Sequence, residues 1–308
     1  MNATLLLAAM MLIFSFYSCT QSNQNQSSEN QEAEPGAVTD SDTLTLESGP
    51  VTLKVDRANG ARIVSLQFQQ KELLTGPEIH PENYGSTLWT APQRAWRWPP
   101  YPVLDRGPYA VVQEIDGLKF TSVTDSTTGL QFIKIFDPLP ADTAISITYR
   151  IKNNGQNAWQ GAPWEVTRVP SEGLIFYQGD QVQVLEKTNL PYEQVGELVV
   201  FEPEKYPLEE AKKLFANGEG GWLAHWRDQV LFVKKFPDLS PGQVAPGEEE
   251  VEVYIHQNKD YIELENQGAY QELAPGDSLE WEVRWYLREE SQSDLNDLQA
   301  KIMRINAD

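Results

Sequence analysis

Cysteine is almost missing from this chain: there is one in 308 residues, at position 19. A single thiol excludes an internal disulfide and a cysteine-based zinc site. Histidine is nearly as scarce, with three in all, which argues against a His-rich metal centre. Positive charge is short as well, 24 Lys and Arg against 45 Asp and Glu, for a formal net charge of −21. Such a balance argues against nucleic acid or an anionic membrane surface as partner. A Walker-type glycine loop, G-x-G-x-x-G after a strand, HExxH, G-x-S-x-G and EF-hand spacing are all absent, so neither a cofactor nor a metal is expected. The acid runs EEEVEVY and LREESQSD are most simply solvated faces.

The apolar run LLLAAMMLIFSFY, residues 5–17, has only thirteen residues. That is too short to span a bilayer comfortably, and it sits where the apolar region of a signal peptide belongs. FYSC at its end resembles a bacterial lipobox, in which a small residue precedes the lipidated cysteine, although Phe16 stands where Leu is usual and no Lys or Arg precedes the run. Ordinary secretion with cleavage near Ser18 is the alternative. The only cysteine falls at the position the motif requires, so the expectation is a lipoprotein-type signal peptide over 1–18 with Cys19 lipidated. Residues 19–43 are rich in Gln, Asn, Ser and acid and lack Lys, Arg and aromatic residues. Such a stretch cannot bury enough apolar surface to offset chain entropy and reads as a disordered tether. Together these features predict a protein of the bacterial cell envelope, periplasmic or at the cell surface, that meets the membrane only through its lipid anchor.

From Thr43 onward the pattern is strand after strand. Ile145, Ile147, Tyr149 and Ile151 alternate with polar residues, as do Trp281, Val283, Trp285 and Leu287, which is the period of strands with one buried face. GARIVSLQFQQKELL (60–74) reads as a hairpin turning near Gln69–Gln70. Further strands are expected at 51–56, 109–124, 130–136, 174–177, 181–186, 197–201, 221–225, 229–235, 251–256 and 261–265, punctuated by turns such as DGL, TTG, NNG and APG. A short helical turn is expected over Leu208 to Phe215. Ser293 or Asp294 can cap a C-terminal helix carrying Leu295, Leu298, Ile302 and Ile305. The fold class is therefore all-β, a large antiparallel sandwich with a short C-terminal helix, formed by one domain over 44–308.

One segment breaks the rhythm. STLWTAPQRAWRWPPYPVLDRGPY (86–109) holds three Trp, two Tyr, three Arg and five Pro in 24 residues. Prolines at 92, 99, 100, 102 and 108 remove donors and fix φ, so the segment is expected to be a long, rigid loop. Flat aromatic rings suit sugars, whose C–H faces stack on them while hydroxyls bond polar neighbours. Trp89, Trp96, Trp98 and Tyr101 are the candidate platforms. Gln93, Arg94, Arg97 and Arg106 are candidate donors, and the guanidiniums would suit an acidic sugar such as a uronic acid. The ordinary alternative is that these Trp residues plug the open end of the sandwich with Arg stacked on them. Trp159, Trp222, Trp226, Trp281 and Trp285 read as packing residues.

Several stretches resemble one family. NGARIVSLQFQQKELL resembles the opening hairpin of galactose-mutarotase-like (aldose 1-epimerase-like) proteins, and QGAYQELAPGDSLEWEVRWYL (267–287) resembles their closing strands. YGSTLWTAPQRAWRWPPYP (84–102) and APWEVTRVP (162–170) look more like one bacterial secreted branch of that superfamily. The resemblance spans roughly 44–288 and implies a β-supersandwich with a sugar-binding cleft on one sheet face. In the catalytic members a His acts as acid on the ring oxygen and a late-strand Glu as base on the anomeric hydroxyl. The late Glu has counterparts in YIELENQ, where Glu263 and Glu265 share the face opposite Ile262 and Leu264. A solvated strand face is the plain alternative for both. The middle His has no counterpart, because APWEVTR stands in its place with Trp164, Val166 and Arg168 on one face. His80, His225 and His256 read as ordinary surface or packed histidines. Arg168 and Lys234 are secondary ligand-binding candidates, each on an expected strand among large apolar residues. The readings that follow are a carbohydrate-binding lipoprotein acting in glycan recognition or processing, an active sugar epimerase with Glu263 as base, or a structural lipoprotein whose Trp loop docks a protein partner.

Overall fold

A computed structural model describes residues 42–179, 188–207 and 209–305. The expected signal peptide, Cys19, the expected tether up to residue 41 and the strand expected at 181–186 lie outside the described residues.

The alternating patterns produce two ten-stranded antiparallel sheets. In the first, the order is Thr43–Ser48, Val51–Asp56, Arg62–Phe68, Ser86–Ala91, Trp159–Val169, Ile262–Gln267, Val251–Ile255 and Lys212–Ala216, with two short strands off this path. In the second, Leu174–Gln178, Trp222–Arg227, Val230–Lys235, Ser278–Glu289, Ala144–Asn153 and Leu130–Leu139 follow one another at the centre. Residues alternating toward the other sheet, among them Leu53, Val55, Leu88, Leu264, Ile147, Phe232, Val283 and Trp285, form one continuous buried core. The result is a large antiparallel β-sandwich with a short C-terminal helix, so the fold class read from the sequence holds.

Local chemistry explains most boundaries. Gln69 and Gln70 both take positive φ, 50° and 70°, as a two-residue hairpin turn requires. The C-terminal helix runs Leu295–Ile305 and buries Leu298 and Ile302. Asp294 caps it, its Oδ1 accepting from the backbone N–H of Asn296 at 3.0 Å and of Asp297 at 3.1 Å.

Two expectations are corrected. The helical turn expected over Leu208 to Phe215 is instead the edge strand Lys212–Ala216, paired with Val251–Ile255. Lys and Leu are good helix formers in isolation, but the sheet edge takes up the period-two pattern that buries Leu214 and Ala216. The Trp-rich segment is not loop throughout. Its first six residues, Ser86–Ala91, form a fully buried strand inside the first sheet. Pairing with Trp159–Val169 runs to Ala91 and stops there, because the first missing N–H is that of Pro92.

The central strand Trp159–Val169 is buried on both faces from Gly161 onward. Its Glu165 and Thr167 point into the sandwich, while Trp164, Val166 and Arg168 point the other way, beneath the Trp-rich segment. That outward face carries the candidate site.

Candidate functional site

Register places the outward residues in rows across five strands. Trp89 faces Trp164, which faces Gln267; Arg168 faces Glu263, which faces Tyr254, which faces Lys213. Above these rows lies a cleft of about 320 Å³. Trp89, Trp98 and Trp164 line it together with Gln93, Lys213, Tyr254, His256 and Glu263.

Its aromatic wall is held from behind. Trp89 stands edge-to-face with Trp98 at 5.6 Å and Trp164 at 5.5 Å between ring centroids. Its Nε1 donates to the buried Asp105 Oδ1 at 2.7 Å, and the Arg168 guanidinium lies 4.8 Å from its ring centroid. Trp96 is a plug rather than a platform: it is buried against Trp89, Trp164 and Tyr101, and its Nε1 donates to the Thr90 carbonyl. Trp98 remains half open to solvent at 49 % exposure.

The floor is ionic. Arg168 is fully buried; its Nε donates to Glu263 Oε1 at 2.9 Å and its Nη1 to Thr87 Oγ1 at 2.8 Å. Glu263 keeps 9 % of its surface exposed toward the cleft, and among the described residues no hydrogen bond reaches its Oε2. Lys213 is shared between Glu252 at 2.6 Å and Glu265 at 2.8 Å, and lies 5.1 Å from the Trp164 ring centroid. Burial works against the Lys213 charge, but Glu265 and Glu252 outweigh it and raise its pKa. Burial and then Glu252 push the Glu265 carboxyl up to about 8, against the pull of Lys213. Burial and Glu252 likewise push Glu248, which accepts from the Gln93 backbone N–H at 3.1 Å, up to about 7. Burial and the Glu263 charge raise the Tyr254 and Tyr261 phenols, so both rings present neutral hydroxyls.

At one end, two histidines expected to be ordinary surface or packed residues come together. His256 stacks on Tyr261 at 4.7 Å, and His80 meets both rings edge-on. The Nδ1 of His256 pairs with Asp260 Oδ2 at 3.0 Å, which leaves Nε2 for other partners. His225, by contrast, is packed: burial lowers its pKa to about 4, and its Nε2 bonds the Glu172 carbonyl.

Of the residues singled out from sequence, Trp89, Gln93, Trp98, Trp164 and Glu263 line the cleft, and Arg168 and Glu265 lie directly beneath it. Lys234 does not reach it. Its Nζ lies between the sheets, 2.9 Å from each of Glu165 Oε2, Thr167 Oγ1 and the Leu264 carbonyl, because its strand belongs to the second sheet and points at the first. Arg106 is turned away by the helix Pro102–Asp105 and is claimed by Glu82 at 3.2 Å and Asp105 at 3.3 Å. Arg97 is exposed and outside the lining. Lys213, Tyr254 and His256 were missed. Lys213 sits in the segment mistaken for a helical turn, and the other two need the strand order to be known. Among the described residues no group of three or more His, Cys, Asp and Glu is arranged to hold a metal ion.

Solved structures share this architecture at low identity. A galactose mutarotase-like protein from Lactobacillus casei is 11% identical over 80% of this chain and 100% of its own, with a TM-score of 0.53. A galactose mutarotase related enzyme from Lactobacillus acidophilus is 9% identical over 82% and 100%, with a TM-score of 0.55. A TPR-domain containing protein from Parabacteroides distasonis is 14% identical over 82% of this chain and 48% of its own, with a TM-score of 0.58. No curated protein matches the sequence. The family model described as a domain of unknown function, DUF4380, matches residues 71–288, most of the chain, and the protein belongs to that family.

Proposed function

We propose that this protein is a carbohydrate-binding lipoprotein of the bacterial cell envelope, anchored through Cys19 and reaching its glycan on the tether 19–43. The observation that carries the binding reading is the set of Trp89, Trp98 and Trp164 standing at one cleft with Glu263, Lys213 and Gln93. Rings stack on sugar C–H faces, and carboxylate, ammonium and amide groups bond the hydroxyls. A volume of about 320 Å³ suits a small glycan. The wall is preorganised, since Asp105 and Arg168 fix Trp89 before any ligand arrives, which lowers the entropy lost on binding. The test is NMR of the purified protein with a broad panel of sugars. Binding broadens or shifts sugar signals; a flat response across the panel sinks the reading.

A second reading, a sugar epimerase with Glu263 as base, is favoured by His256. Held by Asp260, it supplies a second proton-transfer group in the cleft that Glu263 lines, and ring opening and closing require two such groups. Accelerated anomer exchange, lost in both Glu263→Gln and His256→Gln, is its signature; binding without acceleration excludes it. The protein-docking reading has less support, because most of the Trp rings line a concavity instead of a convex patch.

A further inference from the structure

Resting on the sugar reading, we infer that the cleft selects a positively charged glycan unit, an amino sugar whose ammonium meets Glu263. The argument begins with the charges that face the cleft or its floor. Strand Ile262–Gln267 contributes Glu263 and Glu265, strand Val251–Ile255 contributes Glu252, and the turn before it contributes Glu248. Against these four carboxyl groups stand two cations, Arg168 and Lys213, with the His256 imidazole at one end already paired to Asp260.

Lys213 is committed, and so is Arg168 except for its Nη2, which is buried without a partner among the described residues. Arg168 is spent on Glu263, Thr87 and the face of Trp89; Lys213 is spent on Glu252, Glu265 and the face of Trp164. The guanidiniums expected to receive an acidic sugar, those of Arg94, Arg97 and Arg106, do not line the cleft. Carboxylate oxygens are left over as well. Glu263 Oε2 accepts no hydrogen bond among the described residues, and the fully buried Glu265 Oε1 has no partner.

An anion entering this space meets the Glu263 carboxylate, while the unpartnered guanidinium nitrogen, Arg168 Nη2, is fully buried and Arg168 does not line the cleft. A neutral sugar leaves that charge as it is. An ammonium at Glu263 compensates it directly and gains attraction from the surrounding Trp and Tyr faces. Burial, and Glu252 beside them, raise the pKa values of Glu265 and Glu248, so part of this carboxyl cluster carries protons that a cation can replace. Ammonium binding therefore displaces proton, and near pH 7 the displacement costs little because Glu248 holds its proton only to about pH 7.

Calorimetry near pH 7, run in two buffers of different ionisation enthalpy, tests this. The probes are glucosamine, galactosamine and mannosamine, the parent hexoses, and glucuronate and galacturonate. The best amino sugar is expected to bind about tenfold tighter than its parent hexose, with uronates weakest and with proton release for the amine alone. Glu263→Gln abolishes the preference. Should that variant not fold, Glu248→Gln, at a half-buried position, reduces the proton release instead. Tighter binding of a hexose or uronate than of any amino sugar overturns the inference while leaving the sugar reading intact. So does an amine preference that survives Glu263→Gln. Silence from every sugar overturns both.

Discussion

Lys213→Met is the most informative single perturbation of the floor. The ammonium is held by Glu252 at 2.6 Å and Glu265 at 2.8 Å, and both carboxylates are fully buried. Losing one charge-assisted hydrogen bond in such a place costs about 2 kcal/mol, while stranding an ionised buried partner costs about 3–5 kcal/mol. Which figure applies depends on pH. In the native protein Glu265 keeps its proton up to about pH 8, against 4.5 for an ordinary Glu. The folded form thus holds a proton the unfolded form has released, and stability falls with rising pH between those values, then levels. Removing Lys213 takes away the group that pulls this pKa down, so in the variant the fall continues above pH 8. Its slope is about 1.4 kcal/mol per pH unit for one proton. The penalty, which already includes the loss of both hydrogen bonds at pH 7, therefore grows by about 2 kcal/mol more by pH 9.5. Urea unfolding of both proteins at the two pH values measures it. A penalty that stays constant, or shrinks at high pH, refutes the shared-carboxylate account.

Other perturbations separate scaffold from site. Lys234→Met strands the buried Glu165 between the sheets and costs about 3–5 kcal/mol in urea unfolding, while sugar affinity of the folded fraction is unchanged. Trp98→Ala does the reverse: at 49 % exposure it loses under about 1 kcal/mol of stability, yet weakens ligand binding about fivefold to tenfold in a calorimetric titration. Gly85→Ala places a Cβ 2.0 Å from the Ile63 carbonyl at a φ of +62°, next to the carbonyl that accepts the Arg168 N–H. It is expected to destabilise by about 2 kcal/mol or more and to lower sugar affinity together with stability, read by thermal unfolding and titration.

The sandwich was legible because its strands carry their own period. Val51–Asp56 and Ser278–Glu289 announce a buried face without reference to any partner. Parts of the site were legible for the same reason: alternation alone puts Trp164 with Arg168, and Glu263 with Glu265, on common faces. What alternation cannot give is which strands become neighbours. His256 reaches the cleft only because the turn after Val251–Ile255 folds it onto Tyr261, and Lys213 only because an edge strand forms where local composition favours helix. Lys234 misled in the opposite sense. A lysine among large apolar residues looks like a site group, but the pattern does not say which sheet its strand joins, and here it joins the one that points it at Glu165. The arginines of the Trp-rich segment misled because a proline-rich chain turns sharply, sending neighbouring side chains to different sides.

The central claim, that the Trp-walled cleft is where a sugar binds, is tested most directly by following the nine indole N–H signals in an NMR titration with a sugar the protein binds. The account predicts that the signals of Trp89, Trp98 and Trp164 move with ligand while those of Trp222 and Trp285, buried in the sandwich core, stay fixed. Saturation that leaves those three signals unmoved, or that moves the core pair instead, contradicts it.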